Sequence, residues 1–347
     1  LSGAVTVNNG ANTDVAATLL STIATGTGGT VTVSAAVNIT GDTSEVIAAL
    51  DTNGVTAATA NIVLSDTPSL ADLKTINNAT SGSIKISNGA VTYTDSAVNL
   101  AAALDGTVTD GSGTALSGAM TLNTDPNATQ LQTINNGTTG NVIIPNAGIT
   151  LSGTPAVLVE ALTGSVATAG NAKISGTVTI TTTNPDSAQL KTINDAIDGA
   201  IVVPSKAVAL SGTAAALVDA LAGTVTDSAN AKIEGNVTIT GVDPDSAQLK
   251  TINDATNATI IVPDKTVQLS STADVLAAAL TGTVTDSANA QITGNVTITD
   301  APTETELQTI NNGTTASIQI PAANQTFSAS AAVLAEALTG TVTGPGA

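Results

Sequence analysis

The twelve residues PDSAQLKTINDA stand at 185–196 and again, unchanged, at 244–255. A catalytic site needs one copy of its reactive groups, so verbatim repetition points to a chain that completes its core by stacking like units. The triplet Thr-Ile-Asn begins at Thr75, Thr133, Thr192, Thr251 and Thr309, and Thr22-Ile23-Ala24 is a degenerate earlier copy. In phase with it, Leu50, Leu104, Leu162, Leu221, Leu280 and Leu338 close short segments rich in Ala, Val and Leu. Together the two series predict a single solenoid over 1–347, built of six repeats of 58–59 residues, the first (about 1–60) degenerate.

The repeat at 244–302 carries its own punctuation. Asp243 is placed to cap a helix, with Pro244 at its first position, Leu249 and Ile252 facing inward, and a stop near Asn253. ATIIVP follows as a strand, Ser271-Thr272 caps a second helix over ADVLAAAL, and Gly282 ends it. Gly106, Gly164, Gly223 and Gly340 fill the same place elsewhere. TVT, a DSAN turn and QITGNVTIT complete the unit. The expected fold is an α/β repeat solenoid of strand-strand-helix half-units, two per repeat, with mainly parallel sheets. Strands pair about 4.8 Å apart whereas helices pack about 8–10 Å apart. That mismatch predicts either two separate helix columns or a curved stack.

Alternation in VTIT turns Val178 with Ile180, Val237 with Ile239, and Val296 with Ile298 to a buried face, and the intervening Thr outward. Asn77, Asn135, Asn194, Asn253 and Asn311 recur at the close of the first helix and are expected to form a structural ladder satisfying backbone groups at helix ends. At one outward strand position stand Ile143, Val202 and Ile261, where the outer repeats have Thr32, Lys85 and Gln319. Such a stripe is either a lateral contact surface or a strand buried on both faces.

Composition removes most chemistries. The chain has no Cys, His, Trp or Arg, one Tyr, one Phe, eight Lys and 27 acidic residues, for a formal charge of −19. Without His or Cys there is no imidazole-assisted nucleophile, thiolate or soft metal site, and no enzyme is expected. Strong negative charge without Arg opposes nucleic acid and anionic membrane surfaces. No apolar run approaches the roughly 20 residues of a membrane helix, so no membrane insertion is expected. Asp186, Asp243 and Asp245 are candidate Ca²⁺ ligands, although helix capping accounts for each without metal. No other cofactor is expected. Outward Thr pairs invite comparison with an ice-binding face, and a sheet of this kind also offers a surface to glycan. The ladder of Thr pairs is broken, however, and aromatic platforms for sugar are missing.

The sequence begins within a strand-like segment, LSGAVTVN, and closes after GTVT with GPGA, where the DSAN of the two preceding repeats would be expected. It is expected to be a segment of a longer chain whose partners are adjoining repeats or further copies end to end. The repeated unit GTVTDSANA-[KQ]-I-x-G-NVTIT with PDSAQLKTIND, and an acidic composition lacking Cys with Lys as the sole basic residue, resembles the repeat regions of very large bacterial extracellular proteins. These include surface-layer proteins, filamentous adhesins and the giant cell-surface proteins of cyanobacteria. The resemblance implies a structural role outside the cell, as a rod, filament or surface array, with cell-surface polysaccharide as a possible partner. The competing expectation is a binding module for Ca²⁺, glycan or ice.

Overall fold

Capping decides where the helices begin. The computed structural model describes residues 2–322 and 325–344; Leu1 and residues 345–347, which belong to the expected chain ends, lie outside the described residues. Helices α1 (Ala17–Gly26), α3 (Leu70–Ala79), α5 (Ala128–Asn136), α7 (Ser187–Ala196), α9 (Ser246–Ala255) and α11 (Glu304–Gly313) contain the Thr-Ile-Asn series. Alternating with them, α2 (Thr43–Ile47), α4 (Ala97–Leu104), α6 (Pro155–Leu162), α8 (Ala214–Ala220), α10 (Ala273–Leu280) and α12 (Ala331–Ala337) carry the leucine series, α2 continuing into a π-helical turn at Ala48–Thr52.

In α7 and α9 the cap is Asp186 and Asp245, each accepting from the backbone N–H of a Gln three residues on, whose side chain returns to the cap's own N–H. Thus Asp245, not Asp243, caps α9, and Pro244 lies just outside the helix, buried. A reciprocal box satisfies two otherwise unpaired donors, which outweighs the pull of proline toward the first helical position. Nor does Asn253 end its helix: α9 runs on through Ala255, and Asn253 keeps helical backbone. Left-handed φ is taken instead by the Asn of the DSAN turns, Asn230 and Asn289 at +60°, and, among the other described non-glycine residues, by Asn12, Asn171 and Thr182. There Asp227 and Asp286 each accept two backbone N–H groups, from Ala229 and Ala231 and from Ala288 and Ala290.

The chain divides into two compact units, Leu1–Leu151 with Val157–Ile174, and Ser152–Ala156 with Ser175–Ala347. In the first, a two-stranded sheet (Val5–Val7, Val31–Val33) is followed by a five-stranded one beginning at Asp14–Ala16 and a four-stranded one beginning at Tyr93–Asp95. The second unit repeats a four-stranded pattern. One sheet runs Leu210–Gly212, Val237–Ile239, Thr259–Ile261, Thr283–Thr285, and the next runs Leu269–Ser271, Val296–Ile298, Ile318–Gln319, Val342–Thr343. All pairings between these strands are parallel. Leu269–Ser271 opens the later sheet before Thr283–Thr285 closes the earlier one, so successive sheets are knitted together by the chain.

Within the second unit each helix packs on the next in sequence, from α7 through α12. The two helices of a repeat are therefore immediate neighbours and do not form separate columns. Ending each sheet after four strands and starting another relieves the mismatch between strand and helix spacing. What emerges is an α/β repeat fold of strand-helix units with several parallel sheets. Its core is aliphatic: Leu249, Ile252, Val237 and Val296 are fully buried. Tyr93, the one tyrosine, lies in the core with its hydroxyl donating to the Pro68 carbonyl at 3.1 Å.

Candidate functional site: the recurring helix-end cleft

A helix leaves its last carbonyls without intrahelical donors. In this chain the donor comes from the preceding helix. The Nδ2 of Asn77 donates to Ala102 O at 3.0 Å, that of Asn135 to Glu160 O at 2.7 Å, and that of Asn194 to Asp219 O at 2.8 Å. Asn253 and Asn311 repeat the contact with Ala278 O at 2.7 Å and Glu336 O at 2.6 Å. Asn135 and Asn253 also reach Thr163 O and Thr281 O. All five asparagines thus fasten the C-terminus of the even-numbered helix that follows.

Glycine completes the junction. Gly282 has φ +87°, and a Cβ there would lie 3.4 Å from Asn253 Oδ1; Gly164 and Gly340 repeat the arrangement beside Asn135 and Asn311. The opening left between helix end and following strand is a shallow cleft. It measures about 460 Å³ around Asn253 and Asp254, about 380 Å³ around Asn135 and Glu160, and about 430 Å³ around Asn311 and Glu336. Helix C-termini carry partial negative charge, and in two clefts a donor meets it: Lys232 Nζ donates to Asp254 O at 2.5 Å and Gln291 Nε2 to Asn312 O at 3.1 Å.

Beside each fastener a second bridge joins the helices, with chemistry that varies. Lys74 donates to Asn99 Oδ1 at 2.8 Å, Gln132 to Glu160 at 2.6 Å, and Lys191 pairs with Asp219 at 2.9 Å; Gln308 bonds Glu336. Hydrogen bonds from Gln132 and then Asn136 hold the Glu160 carboxyl below its ordinary range. Asp195 and then Asp219 raise the Lys191 ammonium. A third recurring element lies underneath. Thr80, Thr138, Thr256 and Thr314 are buried, with hydroxyls donating to backbone carbonyls such as Ala60 O, Leu116 O and Ile292 O. These threonines, five residues after the Thr of four of the five Thr-Ile-Asn triplets (the fifth has buried Ile197), were missed by the sequence reading; their fixed spacing was the available signal.

The remaining sequence candidates separate. Asp186 and Asp245 are engaged as caps, and Asp243 is exposed. Among the described residues there is no group of three or more His, Cys, Asp or Glu that could hold a metal ion. Ile143, Val202 and Ile261 lie half-buried in three different sheets. Val202 pairs with Thr179 and Thr226, and Ile261 with Thr238 and Thr285. None of the three is a cross-strand neighbour of another, so they form no continuous apolar row within a sheet. The strands Val178–Ile180, Val237–Ile239 and Val296–Ile298 each present one threonine outward between two buried residues. No helix among the described residues is long and apolar enough to cross a membrane. Compared with known proteins, the chain matches no family model, no curated protein and no solved structure. Chemically the cleft holds amides, hydroxyls, carbonyls and screened charges, arranged to close helix ends.

Proposed function

We propose that this chain is a structural repeat protein of a cell surface, its units stacked as a solenoid to form a rod or array component. One observation carries the reading: the polar residues that recur most faithfully, Asn77, Asn135, Asn194, Asn253 and Asn311, spend their donors on backbone carbonyls of the same chain. A binding face or catalytic centre would leave recurring polar groups turned to an outside partner. The extracellular setting rests on the resemblance in composition and repeat to bacterial surface proteins. Electron microscopy of the purified protein, with calorimetric titration of Ca²⁺ and of cell-wall polysaccharide, tests the reading. Elongated particles whose melting temperature is indifferent to millimolar Ca²⁺ support it. Compact particles, or saturable binding of Ca²⁺ or glycan that raises the melting temperature, would point to the binding-module alternative.

A further inference from the structure

One turn recurs in four repeats, after the strand that follows the odd-numbered helix. In it Asn88, Asn146, Ser205 and Asp264 each accept, at a side-chain oxygen, the backbone N–H two residues on. The donors are Ala90 at 3.1 Å, Gly148 at 2.9 Å, Ala207 at 3.1 Å and Thr266 at 2.9 Å. A short polar side chain here takes the place of a backbone carbonyl. Of the four, Asn88 is the one that is both an amide and followed by glycine.

An asparagine before glycine can react with its own backbone. The glycine nitrogen, having given its proton to a solvent base, attacks the side-chain Cγ, and glycine has no Cβ to obstruct the approach. A C–N bond forms, the Cγ–Nδ2 bond breaks, ammonia leaves and a five-membered succinimide remains. Water then opens the ring at either carbonyl, giving an aspartyl residue or an isoaspartyl one, in which the backbone runs through Cγ.

The fold separates the Asn-Gly pairs of this chain. Gly137 donates its N–H to Thr133 O at 3.1 Å and Gly313 is the last residue of α11, so at Asn136 and Asn312 helix holds the attacking nitrogen. The Gly89 N–H has no acceptor among the described residues, and Asn88 is exposed. The Ala90 N–H is aimed at Asn88 Oδ1, the atom on which negative charge develops during the attack, and so stabilises that charge. Asn9 and Asn53, which also precede glycine, have no such donor among the described residues.

We propose that Asn88 is a self-modification site, converting through a succinimide with Gly89 to aspartyl and isoaspartyl forms, with water as co-reactant and ammonia as leaving group. The two products differ in consequence. The aspartyl form is what Asp264 already is in the same turn, with Asp286 in the place of Asp110, so it fits. The isoaspartyl form lengthens the backbone by one carbon just before Gly89. The Gly89 carbonyl accepts from Ser117 N at 2.6 Å and Ser117 Oγ at 3.2 Å, and a Cβ on Gly89 would lie 2.6 Å from Asp110 Cβ. The same link recurs from Glu234 N to Lys206 O and from Thr293 N to Lys265 O, both at 2.7 Å. Isoaspartate at 88 therefore loosens a join that the repeats use throughout, and marks the age of the chain at one turn.

Asn146 is a built-in control, with the same turn and the same exposure but Ala147 next. The purified chain is held in warm, mildly alkaline buffer and sampled over days by peptide mapping, with fragmentation that distinguishes isoaspartate from aspartate. The expected result is loss of the Asn88 amide several-fold faster than that of Asn146, through a peptide lighter by one ammonia, with Asn136 and Asn312 largely intact. Ala147→Gly should bring Asn146 up to the rate of Asn88. Hydrogen exchange at Ser117 should quicken in the isoaspartyl fraction and stay slow in Asn88→Asp. An Asn88 amide as long-lived as that of Asn146, an Asn146 unmoved by Ala147→Gly, or Asn136 and Asn312 reacting as fast as Asn88 would overturn the proposal. So would isoaspartate at 88 with Ser117 still protected.

Discussion

The first repeat and the repeat of α9 and α10 share one half of their design and differ in the other. In both, the apolar ladder is kept: Leu20, Val46 and Leu50 are buried, as are Leu249, Leu276 and Leu280. The polar fasteners are not kept. Ala16 gives α1 no side-chain cap where Asp245 gives α9 a capping box, and Ala24 stands where Asn253 reaches the next helix. The partner helix changes with them, since α2 gives way to a π-helical turn where α10 is a plain α-helix. A repeat can therefore lose its fasteners and still be built, provided its leucines and isoleucines stay buried. The apolar ladder sets whether the unit forms, and the asparagines and caps set how regularly it forms.

That ranking can be broken or sharpened by substitution. The largest effect is expected from the ladder itself: Leu276→Ala should cost about 2–5 kcal/mol in urea unfolding, whereas Leu338→Ala, already half in solvent, should cost well under about 1 kcal/mol under dilute conditions. Equal losses would contradict the contrast between interior and last repeat. Next comes the fastener. Asn253→Ala removes donors to Ala278 O and Thr281 O and should cost about 1–3 kcal/mol, while Ala24→Asn in the first repeat should add almost nothing, which thermal melts of the two variants would measure.

Gly282→Ala forces a side chain into φ +87° and is expected to cost roughly 1–2 kcal/mol. Gly26→Ala, in ordinary helical backbone with open space around it, should be neutral or slightly stabilising. Tyr93 supplies a pH test confined to one strand. Burial pushes its phenol from 10.0 up to about 12. A raised folded-state value means that its contribution is intact below pH 10 and is lost as pH climbs from there toward 12. Tyrosinate absorbance should stay low up to pH 10 and then rise together with loss of helical dichroism; titration at the ordinary value in a chain still folded would contradict its burial. Smallest of all, Lys191→Met should shift stability by less than about 0.5 kcal/mol, because the Lys191–Asp219 pair is exposed and Gln132 and Gln308 occupy its place in other repeats.

Periodicity and capping residues were enough to read the alternating helices, the strand segments and the DSAN turns, because each is decided within about ten residues of chain, and the parallel pairing of the strands was readable from the repeat itself, which brings like segments round in the same direction. Features that depend on a distant partner were not readable in the same way. Asn253 looks like a helix terminator until Ala278 and Thr281 are beside it, 25 and 28 residues on. Asp243 and Asp245 both precede the helix, and only the return bond from Gln248 picks Asp245. The apolar residues Ile143, Val202 and Ile261 align in the repeat but are distributed among separate sheets, because each sheet stops before the next repeat's equivalent strand could join it. Repeat register alone cannot tell where a sheet ends.

Hydrogen exchange of the native chain in dilute solution tests most directly the claim that each repeat is completed by its neighbours. The account predicts the slowest exchange in α8, α9 and α10 and in the strands Val237–Ile239 and Thr259–Ile261. It predicts markedly faster exchange in α1 and α12, whose apolar stripes are covered on one side only. Protection of α1 and α12 equal to that of α9 at concentrations where copies are separate, or exchange that follows each repeat's own sequence irrespective of its neighbours, would contradict it.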